Sequence, residues 1–289
     1  MTIMPAVATW SWVNTRGWRL PPVRPTIRGT LTRTDTMPAL HPLCCGRLRF
    51  DRSVFFPDAS PGTITTVPVP GFLVIHPKGK LLFDTGVACE AAVDPVTVLG
   101  QRLATTFQMV GAPDENAPGQ LAHLGLVPDD ILYVANSHLH FDHCGCNPLF
   151  GRSTFLIQRA EMQAAQTPGG RYDARLWQHP LNYQLIDGEH DVFGDGTVLL
   201  VPTPGHTAGH QSLVVQVARD SRFVLTADAC YSSEHMAREL LPSVVWQGDQ
   251  MLDSMRRLRA MGEQAGTKIL YGHDPMQWAA LGAARQALM

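Results

Sequence analysis

Four side chains that can bind a metal ion lie within six consecutive residues, directly after a short apolar segment. The segment is Ile131–Asn136, and the side chains are His138, His140, Asp142 and His143. Residues two apart in an extended backbone point to the same side, so the first two imidazoles face one point. Burying these groups together without a cation would be costly in desolvation and mutual repulsion. The chain must therefore fold so that this segment forms a metal centre at the end of a strand.

Three more candidate ligands follow apolar runs further along the chain. They are His206, Asp228 and His273, and each lies beside glycine or another small residue that lets its loop approach closely. Imidazole and carboxylate ligands in two neighbouring groups suit two borderline cations such as zinc. His210 follows four residues after His206 and already enters a strand, so we predict a structural role for it.

Segments of strand character alternate with helical patterns from residue 46 onward. Pro77-Lys78-Gly79 predicts a hairpin turn between two of the strands. No linker or internal repeat interrupts 37–289, so the pattern predicts one α/β domain over these residues. The predicted strands are Gly46–Phe56, Gly71–His76, Lys80–Asp84, Ile131–Asn136, Thr154–Ile157, Val198–Val201, Ser212–Val217, Phe223–Thr226 and Lys268–Tyr271, and the clearest helices are Trp246–Met261 and Pro275–Leu288.

Residues 1–36 differ in composition from the rest of the chain. They carry five arginines against one acidic residue, Asp35, together with Trp10, Trp12 and Trp18. They lack the continuous apolar core of a secretory signal. We predict a mobile N-terminal extension, or sequence upstream of a start at Met37, with a transit-like segment as the alternative.

The composition of the whole chain excludes several functions. The formal charge of −2 gives no electrostatic attraction for nucleic acid. No apolar run reaches the roughly 18 residues that a membrane-spanning helix needs. The six cysteines, of which Cys44 and Cys45 are adjacent, do not form a disulfide framework. We therefore expect a reducing, cytoplasmic location.

The ligand pattern resembles that of the metallo-β-lactamase superfamily. The motif H-x-H-x-D-H at residues 138–143, followed by a distant His, Asp and His, has the family's order, and the resemblance covers roughly residues 46–275. It implies an α/β fold, a four-layer αββα sandwich, with two Zn²⁺ ions per chain, or other divalent transition metals, at one edge of the sheets. By the same resemblance, the first ion is bound by His138, His140 and His206, the second by Asp142, His143 and His273, and Asp228 bridges both.

A turn near the start of this match, Phe83-Asp84-Thr85-Gly86, resembles the D-T-G motif of the same superfamily. The resemblance implies that Asp84 accepts a hydrogen bond from a ligand histidine and so orients the ring. The alternative is an ordinary turn aspartate.

Three segments resemble, more narrowly, the zinc-dependent N-acyl homoserine lactone lactonases. They are His138–Gly145, Thr203–Ser212 and Asp228–Tyr231, and Tyr231 is the most discriminating residue because in those enzymes it hydrogen-bonds the substrate. The resemblance implies that a hydroxide bridging the two metal ions opens the lactone ring, which would be a quorum-quenching reaction. Tyr231 would polarise the carbonyl oxygen, and Asp142 would carry the proton to the leaving alkoxide.

Two features depart from the pattern of these lactonases. Residues 1–36 have no counterpart in the compact members, and Cys144 and Cys146 flank Gly145 where small residues without sulfur are more usual. The role of Phe141 has two interpretations, an apolar wall for the acyl chain of the substrate or simple core packing.

Other functions stay open at this point. The same metal centre could hydrolyse another lactone or a phosphotriester. A non-catalytic metal-binding or sensor module is the alternative from a different class. The expected partner is a small lactone rather than nucleic acid or a membrane, and we expect a monomer or a homodimer.

Overall fold

Twelve strands form two sheets in the part of the chain that the computed structural model describes, residues 37–168, 171–281 and 287–288. The predicted N-terminal extension, residues 1–36, lies outside these residues. The first sheet contains β1 (Ala39–Asp51), β2 (Ile64–His76), β3 (Gly79–Phe83), β4 (Gln108–Met109), β5 (Tyr133–Ala135), β6 (Thr154–Gln158) and β7 (Asn182–Ile186), in the order β4-β1-β2-β3-β5-β6-β7. The second contains β8 (His190–Asp191), β9 (Val198–Pro202), β10 (Gln211–Ala218), β11 (Ser221–Leu225) and β12 (Thr267–Leu270), in the order β12-β11-β10-β9-β8.

Helices connect the strands and cover the sheets. α1 is interrupted at Gly100, whose φ of 80° only glycine adopts easily, so its second half takes a new direction. Among the described residues, no helix is both long and apolar enough to cross a membrane. The helices are α1 (Pro95–Thr106), α2 (Ala117–His123), α3 (Phe141–Cys144), α4 (Arg159–Gln166), α5 (Ala174–Trp177), α6 (Ser233–Arg238), α7 (Gly248–Gly262) and α8 (Pro275–Leu281).

The two sheets pack face to face through alternate residues of their strands. Phe72 and Val74 of β2 point to the inner layer, where they join Leu213 and Val215 of β10 in one buried cluster. The residue between the first two, Leu73, belongs to a separate cluster on the outer face. This period of two is the pattern that places apolar residues on both faces of a buried strand.

Helices cover both outer faces. Leu73 and Leu82 of the first sheet pack with Leu121 of α2. On the second sheet, Val214 and Val224 pack with Leu258 of α7, together with other apolar residues of that helix. The layers therefore run helix, sheet, sheet, helix, and the structure confirms the predicted αββα sandwich.

Parallel strands carry the segments of interest to one end of the sandwich. β3, β5, β6 and β7 run parallel to one another, and β11 runs parallel to β12. Because the carboxyl ends of parallel strands lie at the same edge of a sheet, the loops that follow them are neighbours. The segments after β3, β5, β11 and β12 hold six of the seven predicted metal ligands and the D-T-G turn.

The structure differs from the sequence prediction most at the ends of three elements. The first strand begins at Ala39, before the predicted start at Gly46, and the second begins at Ile64, before the predicted start at Gly71. The predicted final helix is wrong at its end, because Leu288 instead donates a backbone hydrogen bond of 2.7 Å to the Leu40 carbonyl. The predicted hairpin turn is confirmed, since β2 ends at His76 and β3 begins at Gly79.

Candidate metal centre and active site

The seven predicted ligand residues come together at one end of the sandwich, on loops that leave both sheets. His138 and His140 follow β5, and α3 directly after them carries Asp142 and His143. The other three residues, His206, Asp228 and His273, lie in the loops after β9, β11 and β12.

Their donor atoms form two groups that share one carboxylate. The first group consists of His138, His140 and His206, and the second group of Asp142, His143 and His273. Within each group the donor atoms lie within 4.8 Å of one another. Asp228 lies between the groups, with Oδ2 3.3 Å from His206 Nε2 and Oδ1 3.0 Å from His273 Nε2. One carboxylate therefore faces both groups, as a bridging ligand must.

Hydrogen bonds on the far side of the second group's imidazoles fix their tautomers. His143 Nδ1 lies 2.8 Å from Asp84 Oδ2, and His273 Nδ1 lies 2.8 Å from the Pro68 carbonyl. Carboxylate and carbonyl oxygens only accept, so each Nδ1 carries a proton and donates it. In the neutral rings, each Nε2 then presents a lone pair toward the centre.

Hydrogen bonds at Nδ1 also orient two of the imidazole rings of the first group. His206 Nδ1 donates to the Val244 carbonyl at 3.2 Å, and His138 Nδ1 lies 3.0 Å from Ser137 Oγ. On the inner side, the Nε2 atoms of His138 and His206 lie 2.9 and 3.0 Å from His140 Nδ1. Three ring nitrogens converging on one point are typical of a structural or catalytic zinc site.

Three buried polar atoms at the junction of the groups have no hydrogen-bond partner. They are His143 Nε2, His273 Nε2 and Asp228 Oδ1. An unsatisfied buried polar atom costs about 1–3 kcal/mol. A cation would satisfy all three at once, and imidazole and carboxylate are the ligands that zinc and related divalent metals accept. The residues therefore fit the metal that the sequence predicts.

The two groups differ in their electrostatics. Burial lowers the pKa of every imidazole in the first group, that of His140 to about 4, so these rings are neutral ligands. Burial also opposes charge in the second group, but there the carboxylates of Asp228 and Asp142 raise the pKa of His143 and His273. Protons and a metal ion therefore compete for these two rings.

Asp84 supports the second group directly. Its carboxylate accepts hydrogen bonds from His143 Nδ1 at 2.8 Å, from the Ser137 backbone N–H at 2.7 Å and from Ser137 Oγ at 2.8 Å. The turn packs so closely on the segment after α3 that a Cβ on Gly145 would lie 2.2 Å from the Ala88 nitrogen. The structure thus places Asp84 against a candidate ligand ring, in the position that the D-T-G motif predicts.

Glu161 supports the first group, and the sequence analysis did not assign it a role. Its buried carboxylate accepts hydrogen bonds from the Leu139 N–H at 3.0 Å, the Thr207 hydroxyl at 2.7 Å and the Gly209 N–H at 3.0 Å. It therefore joins the loop after β5 to the loop after β9. A Cβ on Gly209 would lie 2.0 Å from the Glu161 nitrogen, so only glycine fits there. The small residues after His206 were therefore the sequence signal that another segment of the chain packs closely against this loop.

His210 contacts the backbone of Asp228, the residue that carries the shared carboxylate. Its Nε2 accepts a hydrogen bond of 3.1 Å from the Asp228 backbone N–H, and its Nδ1 lies 2.9 Å from Thr203 Oγ1. Burial lowers the pKa of His210 to about 3, so the ring stays neutral and can accept through Nε2. These contacts agree with the structural role predicted for His210, which stays a prediction.

A cavity of about 140 Å³ opens onto both groups. One side of it is polar and includes His140, Asp142, His206 and Asp228, while the other is apolar and includes Phe55, Leu103, Phe107 and Phe141. Phe141 is buried, and the centroid of its ring lies 5.3 Å from that of Phe107. Phe141 therefore belongs both to the core and to the cavity wall. A larger cavity of about 610 Å³, between β1, α2 and α8, contains none of the seven residues.

Tyr231 lines the cavity next to the first group. Its hydroxyl lies 3.4 Å from His206 Nδ1, and the centroid of its ring lies 4.2 Å from the ring centroid of Phe55. Burial raises the pKa of Tyr231 well above its ordinary value. The hydroxyl therefore keeps its proton and can donate a hydrogen bond to an oxygen atom bound in the cavity.

Comparison with known proteins gives consistent matches. A family model described as the metallo-beta-lactamase superfamily matches residues 64–273, a range that includes all seven predicted ligands. The N-acyl homoserine lactonase AttM of Azorhizobium caulinodans is 37% identical over 221 residues, which are 73% of this chain and 84% of the relative. An N-acyl homoserine lactonase of Bacillus cereus is 33% identical over 240 residues, 83% of this chain and 94% of the relative.

A solved structure shows the same fold. It is an N-acyl homoserine lactone hydrolase with the product N-hexanoyl-L-homoserine bound at its catalytic metal center. The TM-score is 0.79 at 30% sequence identity, and the match covers 88% of this chain and 100% of that one.

Proposed function

The chain belongs to the metallo-β-lactamase superfamily, and we propose that it is a zinc-dependent N-acyl homoserine lactonase, which hydrolyses the lactone ring of its substrate. The observation that carries this proposal is the position of Asp228 between two ligand groups in the cavity that also contains the Tyr231 hydroxyl. The names of the similar proteins support the choice of substrate.

The residues divide into those that would hold the metal and those that would act on the lactone. The first group would hold one Zn²⁺, the second group would hold another, and Asp228 would contact both. When bound, two such ions supply a water of lowered pKa and an electrophile for the carbonyl oxygen.

Asp142 is suited to move a proton during ring opening. Its carboxylate lines the cavity, with Oδ2 3.8 Å from both His143 Nε2 and His273 Nε2. Burial raises the pKa of Asp142, which brings its proton affinity closer to what a general base and acid needs. We assign to the Asp142 carboxylate the uptake of the proton from the attacking water and its delivery to the leaving alkoxide.

Tyr231 would stabilise the negative charge that develops on the lactone carbonyl oxygen. A donor aimed at this oxygen is worth more in the transition state than in the bound substrate. Phe55 packs against the tyrosine ring and restricts its motion. The apolar wall that contains Phe141, Phe107 and Leu103 would receive the acyl chain of the substrate.

The test is direct. The zinc-loaded protein is incubated with short- and long-chain N-acyl homoserine lactones, and ring opening is followed by proton release. We expect hydrolysis that a chelator abolishes and zinc restores. The metal-free protein at full activity would contradict the metal assignment, and cleavage of a phosphotriester without cleavage of any lactone would contradict the substrate assignment.

A further inference from the structure

Two cysteine sulfurs meet beside the metal centre. Cys89 Sγ and Cys146 Sγ lie 3.3 Å apart although 57 residues separate them in the sequence, and both are free thiols. Cys89 follows the D-T-G turn by three residues, and Cys146 follows His143 by three. The pair therefore joins the two segments on which the second ligand group depends.

Only one of the two thiols can be reached from solvent. Cys146 is buried, whereas Cys89 is partly exposed and lines a cavity of about 110 Å³ together with Ala88, Ala92 and Met109. A small oxidant that enters this cavity meets the Cys89 sulfur first.

The pKa values of the two thiols also favour Cys89 as the one that reacts first. The hydrogen bond with Cys146 lowers the pKa of Cys89, while that contact and burial raise the pKa of Cys146 well above its ordinary value. Cys89 is therefore the readier thiolate, and the thiolate is the form that reacts with oxidants. Cys146 also lies 3.1 Å from the Val87 carbonyl, which keeps its sulfur next to the partner segment.

We propose that Cys89 and Cys146 are an oxidation site, which forms a reversible disulfide when the protein meets a peroxide. The Cys89 thiolate attacks one peroxide oxygen; a sulfur–oxygen bond forms, the oxygen–oxygen bond breaks and water leaves after protonation. The Cys146 sulfur then attacks the sulfenic acid on Cys89; the disulfide forms, the sulfur–oxygen bond breaks, and the leaving hydroxide takes up the thiol proton to become a second water. Together the thiols lose two electrons and two protons, which reduce hydrogen peroxide to two waters.

The disulfide would fasten the two segments where they already touch. The Thr85 N–H donates to the His143 carbonyl at 2.8 Å, and the Gly145 N–H donates to the Gly86 carbonyl at 2.8 Å. Closing the sulfurs from 3.3 Å to a bond of about 2.05 Å therefore needs only a small local movement. Oxidation should stabilise this part of the native protein rather than displace it.

The experiment is peptide mapping of the zinc-loaded full chain after treatment with hydrogen peroxide, with free thiols alkylated before digestion without reductant. We expect a Cys89–Cys146 linked peptide that dithiothreitol removes. We also expect a Tm about 4–8 °C above that of the reduced protein, because the bond closes a long loop. Cys89→Ser should abolish both effects, and it changes only the partly exposed partner.

Cys44→Ser is the matched control. Cys44 is a buried free cysteine, burial raises its pKa to about 11, and its removal should leave the link and the Tm shift intact. A linked peptide that joins Cys89 to Cys45 would overturn the proposal. So would peroxide-treated wild type in which Cys89 is oxidised without any link. Neither readout requires turnover, so failure here is distinct from failure of the proposed activity.

Discussion

The two ligand groups are supported by two carboxylates that act in different ways. Asp84 accepts a hydrogen bond from the His143 ring itself, so it influences both the orientation and the basicity of a ligand. Glu161 contacts no ligand ring; it accepts hydrogen bonds from Leu139, Thr207 and Gly209 and so positions the loops of the first group. The comparison teaches that one group is tuned through a ligand ring and the other through the loops that carry its ligands.

The two ligand groups also differ in charge, in line with the different roles of Asp84 and Glu161. The first group is made of imidazoles alone, whose low pKa values keep them neutral. The second group contains Asp142, and its imidazoles have raised pKa values because carboxylates surround them. Negative charge is therefore concentrated on the second group, where Asp84 adds to it. Loss of charge at Asp84 should weaken that group more than an equivalent loss at Glu161 weakens the first.

Asp228→Ala should have the largest effect because it removes the carboxylate common to both groups. We expect the metal content to fall well below two ions per chain and kcat/KM to fall by more than about 10³-fold, since the missing ligand affects both ions. Elemental analysis and proton-release kinetics measure the two quantities. Asp187→Asn, which removes an exposed carboxylate paired with Arg159, is the control and should match wild type. Full metal content in Asp228→Ala would exclude a shared ligand.

Asp84→Asn tests the tuning of the second group. Asparagine tolerates the φ of 62° found at Asp84, so the turn should persist while the charge on the hydrogen-bond acceptor is lost. We expect the affinity for the more weakly held ion to fall about 10–100-fold. Competition with a chromophoric chelator measures this affinity. An affinity equal to that of wild type would show that the two carboxylates are equivalent after all.

Tyr231→Phe separates chemistry from metal binding, because the hydroxyl lies beside the first group without belonging to it. We expect kcat/KM to fall about tenfold to a hundredfold, less than for an isolated oxyanion donor because a metal would polarise the same oxygen. The metal content should not change. The control is Tyr183→Phe, which removes a hydroxyl that donates to the Trp177 carbonyl outside the cavity. Equal kcat/KM for wild type and Tyr231→Phe would remove the residue-level reason for a homoserine lactone substrate.

Glu161→Gln should affect metal binding less than Asp228→Ala or Asp84→Asn does. The amide keeps one acceptor but replaces the other with a donor that faces the Thr207 and Gly209 hydrogen-bond donors. We expect the free energy of unfolding to fall by about 1–3 kcal/mol, because buried donors lose their partner. Thermal unfolding measures the loss, and metal affinity should stay within severalfold of wild type. A drop in affinity as large as that of Asp84→Asn would contradict the distinction between support of a ligand ring and support of the ligand loops.

Much of the candidate site could be predicted from sequence because its signals are local. Four of the seven residues lie within 138–143, directly after an apolar strand, and the other three end similar strands. Asp84 was recognisable through its turn. The other supporting contacts could not be predicted, because the two partners of each contact are distant in the sequence and many of them are backbone atoms. The Pro68 carbonyl that orients His273 lies 205 residues away and has no sequence signature.

The ends of the strands were harder to predict from sequence where the strands contain prolines. Proline lacks a backbone donor and usually argues against a strand interior. Pro42 lies in β1, and Pro68 and Pro70 lie in β2, yet the pairing of these two strands runs from Ala39 to Asp51. Long-range pairing therefore overrides the local signal. The predicted extension at 1–36, the cytoplasmic location and the oligomeric state stay predictions.

The origin of the ligands on both sheets has a mechanical consequence. Each group takes two residues from the loop after β5 and one from a loop of the second sheet, so each bound ion would be a cross-link between the layers of the sandwich. Metal occupancy would then set how often this end of the sandwich opens by local unfolding. The buried apolar layer closes the middle of the sandwich, while bound ions would add removable cross-links at its rim.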